Sequence, residues 1–350
     1  MIEKDFPMLM ICDKLYRLIV DKSMVTENFL AALISVHGRR EVEIEANGAS
    51  SSMVNIAQSV IQNLRTSLPP IDEQVAISKH LNDETTCIDD LLGKKIRFID
   101  LLREKRQALI THAVTKGLNP NVKMQNSGVE WLGEVPEHWA VIAMKRIVLI
   151  PITDGPHETP NFVDEGIPFV SAEAVSTGKI NFEKIRSYIT KEDNERYAKK
   201  YRPEINDIFM VKSGATTGIT AIVEKYVDFN IWSPLAVIRC GVKSNPFFVL
   251  NYMRSTSFKD AVELNWSFGT QQNIGMEVIG NLAVTVPPID EQTEIANYIN
   301  RETFRLDTLI SKTKRSIELL KERRSALITA AVTGQIDVRE RAVRQDQLAA

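Results

Sequence analysis

The stretch VKSGATTG, from Val211 to Gly218, carries side chains suited to touching a phosphate. Lys212 supplies a cation, Ser213, Thr216 and Thr217 supply hydroxyls, and two glycines let backbone N–H groups approach. A second stretch, NWSFGTQQN from Asn265 to Asn273, contains Gln271 and Gln272. Their amides present the paired donor and acceptor that match an adenine edge in the major groove. A third, DGPHETPNF from Asp154 to Phe162, adds His157 and Thr159. The chemistry these residues share is recognition of a polar, anionic surface without transforming it. Two of these stretches have a plainer reading. VKSGATTG fits an ordinary hairpin turn, and Asn273, matched by Asn55 earlier in the chain, reads as a structural cap for the short helix that follows.

Chemistry that makes or breaks bonds is not legible. No glycine-rich loop ends in Lys-Ser or Lys-Thr, so no motor ATPase is expected in this chain. NPFF, Asn245 to Phe248, resembles the tetrapeptide of adenine methyltransferases but lacks its second proline and has no accompanying cofactor loop; it reads as a helix start. His37, His80, His112, His138 and His157 have no metal-ligand spacing. The expectation is a non-catalytic chain with no metal and no cofactor of its own. Three scattered cysteines, Cys12, Cys87 and Cys240, point to a reducing compartment and hence a cytoplasmic location. No apolar run approaches a membrane span. The formal net charge of -2 means that any nucleic-acid contact must come from local patches.

The elements that would position those loops are written in a repeat. Of the 47 residues from 69 to 115, 26 are identical to those 218 positions further on, without a gap. Both copies open on PPIDEQ, at Pro69–Gln74 and Pro287–Gln292. The proline pair and the two acids behind it are a helix start, because the acids face the positive end of the helix dipole. An apolar seam follows at spacings of 3 and 4: Ile77, Leu81, Ile88, Leu92, Ile99, Leu102 and Leu109, then Ile295, Ile299, Leu306, Ile310, Ile317, Leu320 and Leu327. Neither helix can bury such a stripe alone, so the two are expected to pack on each other. Polar residues interrupt the seam at Glu84, Lys95 and Arg106, and at Glu302, Thr313 and Arg324. In an antiparallel pair facing residues have a constant sum. Glu84 with Arg324, Lys95 with Thr313 and Arg106 with Glu302 all give 408, which sets opposite charges together twice. The plainer reading is a loose seam with solvated interruptions.

A fainter match runs upstream at the same offset and sets Phe29 on Phe247. The repeated unit is therefore a variable region followed by a well-matched helix. Five segments are expected: 1–68, the C-terminal fragment of a first variable domain; 69–118, a first long helix; 119–286, a complete second domain; 287–336, a second long helix; and 337–350, a polar tail. The counterpart of Ser127 would lie roughly 90 residues before position 1, so Phe29, Leu33 and Ile34 are expected to lack a facing layer. In the second domain IPFVSAEAV, DIFMVKSG, TAIVEK and PLAVIRC read as strands. NPFFVLNYMRSTSFKDAVEL reads as one helix capped by Asn245, and NIGMEVIGNL as a shorter one. Trp131, Trp139, Phe169, Phe209 and Trp232 read as core. The fold class is α+β: globular domains joined by two long helices packed as an antiparallel coiled coil.

Together, LPPIDEQ…LLREKRQALITHAVTKGL, VPPIDEQ…LLKERRSALITAAVTGQI and SGVEWLGEVPEHWAVIAMKRI (Ser127–Ile147) resemble the specificity subunit of a type I restriction-modification system. The resemblance implies target recognition domains that each bind one half of a bipartite double-stranded DNA target. It implies long helices that set the spacing and dock methyltransferase subunits, with a motor-nuclease subunit joining the complex. In this reading the chain is N-terminally truncated, and a second specificity chain or fragment is a further expected partner. The competing reading is a scaffold or interaction protein whose helices dock partners without reading DNA, or a remnant that no longer reads it.

Overall fold

The computed structural model describes residues 15–38, 58–63, 66–185, 187–225, 227–268 and 272–338. The two long helices run Ile71–Lys116 and Ile289–Val332, at 46 and 44 residues. Pro69, Pro70, Pro287 and Pro288 stay outside them, and Gly117 takes a left-handed φ of +78° just beyond the first helix, so both are shorter than expected. Every seam residue named above is buried or half-buried. The chain groups into two compact units, Met1–Asp100 with Leu309–Ala350, and Leu101–Thr308; each long helix contributes to both.

In the first unit α1 (Glu27–Leu33) is capped by Thr26, whose side chain accepts from the Phe29 N–H, and α2 spans Gln58–Gln62. Phe29 and Leu33 do not lack a facing layer. They are buried against Ile77 and Leu81 of the first long helix and Ile328, Ala331 and Val332 of the second, with Ile34 half-buried. The long helices themselves supply the layer that the sequence suggested was missing. Val338 joins this core, so the expected tail is apolar at its start; 339–350 lie outside the described residues.

The second unit carries the sheets. β1 (Met124–Asn126) pairs with β2 (Glu134–Pro136), and β3 (Ala140–Ala143) pairs antiparallel with β14 (Ala283–Val286). β4 is Thr153–Asp154, β5 Phe162–Val163, β6 Ile167–Val170, β7 Tyr188–Ile189, β8 Ile208–Val211, β9 Thr220–Ile222, β10 Asn230–Ile231 and β11 Leu235–Ile238. They form two four-stranded sheets, ordered β10-β6-β7-β5 and β4-β11-β8-β9. The short pair β12 (Ser267–Phe268) and β13 (Gln272–Asn273) completes the set. Its helices are α3 (Ala172–Val175), α4 (Lys191–Ala198), α5 (Pro246–Arg254), α6 (Thr256–Asn265) and α7 (Met276–Asn281). Phe169, Phe209 and Trp139 are core as expected; Trp131 and Trp232 are half-buried.

Two elements differ from expectation. The strand read through IPFVSAEAV stops at Val170, and Ala172–Val175 turns helical behind an extended Ser171, because Ala and Glu favour helix and Ser favours its start. The single helix read from Asn245 breaks at Ser255. That hydroxyl donates to the Tyr252 carbonyl and accepts from the Phe258 N–H, closing α5 and opening α6 in one residue. Asn245 does cap α5, accepting from Phe247 and Phe248. Asn273 is no helix cap: it lies in β13, and Gly275 begins α7.

The repeated hexapeptide builds the same joint in each unit. The Gln74 side chain donates to the carbonyls of Met24 and Pro69 and accepts from the Thr26 N–H. The Gln292 side chain donates to Lys243 and Pro287 and accepts from the Asn245 N–H. Both glutamines are within 1% of full burial. Thr26 and Asn245 are the caps of α1 and α5, so each glutamine locks a helix cap onto the start of a long helix. The caps are 219 positions apart, one more than the helix repeat. Phe29 therefore corresponds to buried Phe248, not to exposed Phe247 as the ungapped match suggested.

Opposite charges do pair across the long helices, but not the expected ones. Arg324 meets Asp89 at 2.9 Å in the first unit, and Arg106 lies 3.5 Å from Asp307 in the second. The pairs are repeat equivalents whose numbers sum to 413, displacing the expected Glu84–Arg324 and Arg106–Glu302 partners. Glu302 instead accepts from Arg301 and Arg305 of its own helix. The long arginine side chains reach acids flanking the seam, where their charge stays hydrated. Thr313 is buried and returns its hydroxyl to the Leu309 carbonyl, and Lys95 is half-buried.

Candidate nucleic-acid interface

β4 and β8 flank β11 in one sheet, and this adjacency draws the predicted loops together. The carboxylate of Asp154, fully buried at the end of β4, is their meeting point. Lys200 Nζ approaches Oδ1 at 2.7 Å; Lys212 Nζ and His157 Nε2 approach Oδ2 at 3.3 and 2.9 Å. Both Oδ2 contacts are poorly aligned as hydrogen bonds, so that oxygen is held by charge more than by directed donors. Burial would push the Asp154 carboxyl up, but the Lys200 hydrogen bond and the Lys200 and Lys212 charges outweigh it and hold the carboxyl below its ordinary value.

Lys212 is therefore not the exposed cation of a loop tip. Its side chain is 12% exposed, and its backbone bonds to Pro234 and Ile274 on either side. The turn that follows is fixed from within. The Thr217 hydroxyl donates to the Gly214 carbonyl at 2.7 Å, and Gly214 (φ +103°) donates its N–H to the Gln272 carbonyl. Ser213 bridges Asn273. VKSGATTG and β13 thus share one edge, with Ser213, Thr216, Thr217 and Gln272 half-buried along it. His157 and Thr159 project from the neighbouring loop and are exposed. Gln271 lies outside the described residues.

Sequence reasoning missed the residues that hold this edge. Lys200, Arg196 and Tyr197 line a cavity of about 380 Å³ with Asp154 and His157. Arg196 pairs with Asp193 at 2.7 Å and Glu158 at 3.1 Å. Beneath them Arg239 grips Asp207 through Nε and Nη2 at 2.7 and 2.8 Å, and the Tyr201 hydroxyl donates to the same carboxylate. Burial pushes the Tyr201 phenol far up, so it stays a donor. The run Lys199-Lys200-Tyr201-Arg202, two lysines and an arginine around an aromatic, carried a signal that could have marked the site. Cations and carboxylates are balanced here, so the edge is polar and not strongly basic.

A second kind of surface recurs in both units. A groove of about 710 Å³ in the first includes Thr26, Asn82, Thr85 and Arg324; one of about 760 Å³ in the second includes their equivalents Asn245, Asn300, Thr303 and Arg106. In the second groove Arg254 is half-buried on neutral partners, the Gly178 and Thr220 carbonyls, and desolvation with Arg106 nearby lowers its pKa to about 10. Among the described residues no cluster of His, Cys, Asp or Glu is arranged to hold a metal ion, and no helix is long and apolar enough to cross a membrane.

Known proteins share this architecture. The chain is 24% identical over 310 residues to the type I restriction enzyme MjaVIII specificity subunit of Methanocaldococcus jannaschii, covering 86% of this chain and 68% of that one. It is 22% identical to the EcoBI specificity subunit of Escherichia coli, covering 87% and 65%. It thus spans about two thirds of the length of these relatives. Among solved structures, the HsdS subunit from Thermoanaerobacter tengcongensis superposes with a TM-score of 0.52 at 16% identity, covering 89% of this chain and 71% of that one. A chain from work on assembly and conformational transition of the type I R-M system gives 0.69 at 16% identity, covering 90% and 73%. The family described as the type I restriction modification DNA specificity domain matches residues 143–319, just over half of the chain, from the end of β3 into the second long helix. This protein belongs to that type I restriction-modification specificity family.

Proposed function

We propose that this chain reads one half-site of a bipartite double-stranded DNA target through the edge around Asp154, and carries methyltransferase subunits on its long helices. The observation that carries the reading is the convergence of three loops, distant in sequence, on one polar edge held by buried ion pairs. Thr159, His157, Thr216 and Gln272 are the base-reading or phosphate-touching candidates. Asp154, Lys200 and Lys212 are positioning residues whose mutual neutralisation fixes the loops. With few free cations on the edge, binding by the isolated chain is weak and falls steeply with salt. The chain itself contributes recognition and no catalysis; a motor-nuclease subunit would join the assembled complex.

The matched grooves support docking of one kind of partner twice. So do the exposed leucines Leu91 and Leu309, and Leu101 and Leu319, each pair occupying equivalent repeat positions. The test is co-expression with a methyltransferase subunit, followed by mapping of methylated adenines in the host DNA. Methylation at one consistent half-site, relaxed by Thr159→Ala or Gln272→Ala, is the expected result. A complex that assembles and methylates without sequence preference would sink the readout and leave the scaffold reading.

A further inference from the structure

At the bend between α5 and α6 two cations are held by neutral partners alone. Arg254 Nη2 donates to the carbonyls of Gly178 and Thr220 at 2.6 and 3.1 Å, and its Nε donates to the Thr220 hydroxyl at 3.3 Å. Lys259 Nζ donates to Gln107 Oε1 at 3.1 Å, and the Gln107 amide donates in turn to the Arg254 carbonyl. Arg106 is close enough to act on both through space. Glu224 acts on Arg254, and Asp260 and Glu263 on Lys259, with the opposite sign, but none of these acids forms an ion pair with either cation. Burial first, then the Arg106 and Arg254 charges, hold Lys259 below the ordinary lysine range.

Both cations line a cavity of about 340 Å³. Ile219, Phe258, Val262 and Trp266 form its apolar wall, and the exposed Thr177 adds a hydroxyl at the rim. An apolar wall with a few convergent polar groups, at a volume within the roughly 300–1,000 Å³ usual for small-molecule sites, is the composition of a ligand pocket. Tying the Gly178 turn to α5 requires donors but no charge. The equivalent of Arg254 in the first unit, 219 positions earlier, is Ser35, whose hydroxyl bonds within its own helix to the Ala32 carbonyl. The repeated joint is therefore built without a cation at this position, and the charge belongs to the cavity.

We propose that this cavity binds a small aromatic anion, with a ring system on the apolar wall and a phosphate or carboxylate against Arg254 and Lys259. Separate observations set the two halves of the ligand. The wall offers hydrophobic contact for a ring, and the cations lack the counter-charge that an anionic group supplies. An anion here offsets the repulsion among Arg254, Lys259 and Arg106, and its bonds to the two cations are charge-assisted. A nucleoside monophosphate or an aryl carboxylate carries both features on one molecule. The proposal uses neither Asp154 nor Gln272, so it stands or falls apart from the reading of a DNA half-site.

Calorimetric titration of the intact chain with adenosine monophosphate and with indole-3-carboxylate tests it. Saturable one-to-one binding of at least one, with Kd below about 1 mM, is expected, and which one binds tells phosphate from carboxylate. Adenosine and inorganic phosphate, each carrying half of the chemistry, should bind at least about tenfold more weakly. Lys259→Glu should weaken binding about tenfold or more, and Lys259→Arg should retain it. Lys259 is exposed, so an unchanged melting curve separates lost binding from lost folding; Arg254→Met, checked in the same way, should give a second loss. Failure of both probes to saturate would overturn the proposal. So would binding indifferent to Lys259→Glu, or inorganic phosphate or adenosine binding as tightly as the nucleotide. Displacement of the nucleotide by short duplex DNA of any sequence, lost in Lys259→Glu, also overturns it, because the cations would then belong to a DNA-backbone surface.

Discussion

Gln74 and Gln292 make the same three hydrogen bonds to the same kinds of partner, whereas Glu73 and Glu291, one residue earlier, differ in what they hold. The clamp is internal to each unit: its partners lie within about 50 residues of the glutamine and travel with the repeat. The glutamate's partners come from the segment that leads into a recognition domain, which the second unit contains. The contrast teaches that the repeat preserves a mounting for a domain, independent of what is mounted.

Breaking the clamp should give the largest effect. Gln292→Ala strands the Asn245 N–H, the buried Pro287 carbonyl and the part-buried Lys243 carbonyl, at a cost of about 3 kcal/mol. Gln74→Ala should cost a similar amount, and urea denaturation of the two variants would show it. If either costs under about 1 kcal/mol, the clamps are not equivalent in energy.

Next is the edge around Asp154, which has no described counterpart in the first unit. Asp154→Asn leaves Lys212 enclosed without its counter-charge and should cost about 2 kcal/mol, less than a fully buried pair because Lys200 is half in water. The sign of the pH dependence follows from a lowered carboxyl. The contribution is present above the ordinary carboxylate pKa of about 3.9 and is lost as pH falls through the lower folded value. Urea midpoints recorded from pH 6 downward should lose this acid limb in Asp154→Asn, within the approximate carboxylate range that fixes it.

The glutamates sharpen the comparison at smaller amplitude. Glu291→Ala deprives Trp139 Nε1 and His138 of their acceptor and should cost about 1–2 kcal/mol, whereas Glu73→Ala should leave the melting temperature of the chain alone unchanged. Equal losses would mean that Glu73 holds partners of its own. The smallest effect belongs to the coiled coil. A double-mutant cycle on Asp89 and Arg324, both partly exposed, should return a coupling of about 0.5 kcal/mol, and one on Glu84 and Arg324 a coupling near zero.

Local signals carried much of the architecture. Asn245-Pro246 announced a capped helix because the cap and its donors are adjacent in the chain. The seam announced two long helices because its spacing repeats every turn or two. The break at Ser255 was less legible, since a serine inside a helical pattern is tolerated unless the packing on both sides favours a bend. Lys212 was misjudged for a different reason. Its fate depends on Asp154, 58 positions earlier, and only the pairing of β4 and β8 with β11 brings them together. The charge pairs were displaced because a seam position specifies which way a residue faces, while an arginine side chain can bypass its level partner for a better-hydrated acid.

By itself the sequence determined that two equivalent long helices exist, that each begins at a proline pair and buries one apolar stripe, and that mixed α+β structure lies between them. Those are consequences of local periodicity and duplication. The tertiary structure alone decided which acids the arginines meet, that the repeated glutamine is a buried clamp, that α1 is roofed by both long helices, and that three polar loops share one edge. Each of these depends on contacts between residues far apart in the chain, where small differences in packing and desolvation choose among partners that the sequence presents as equals.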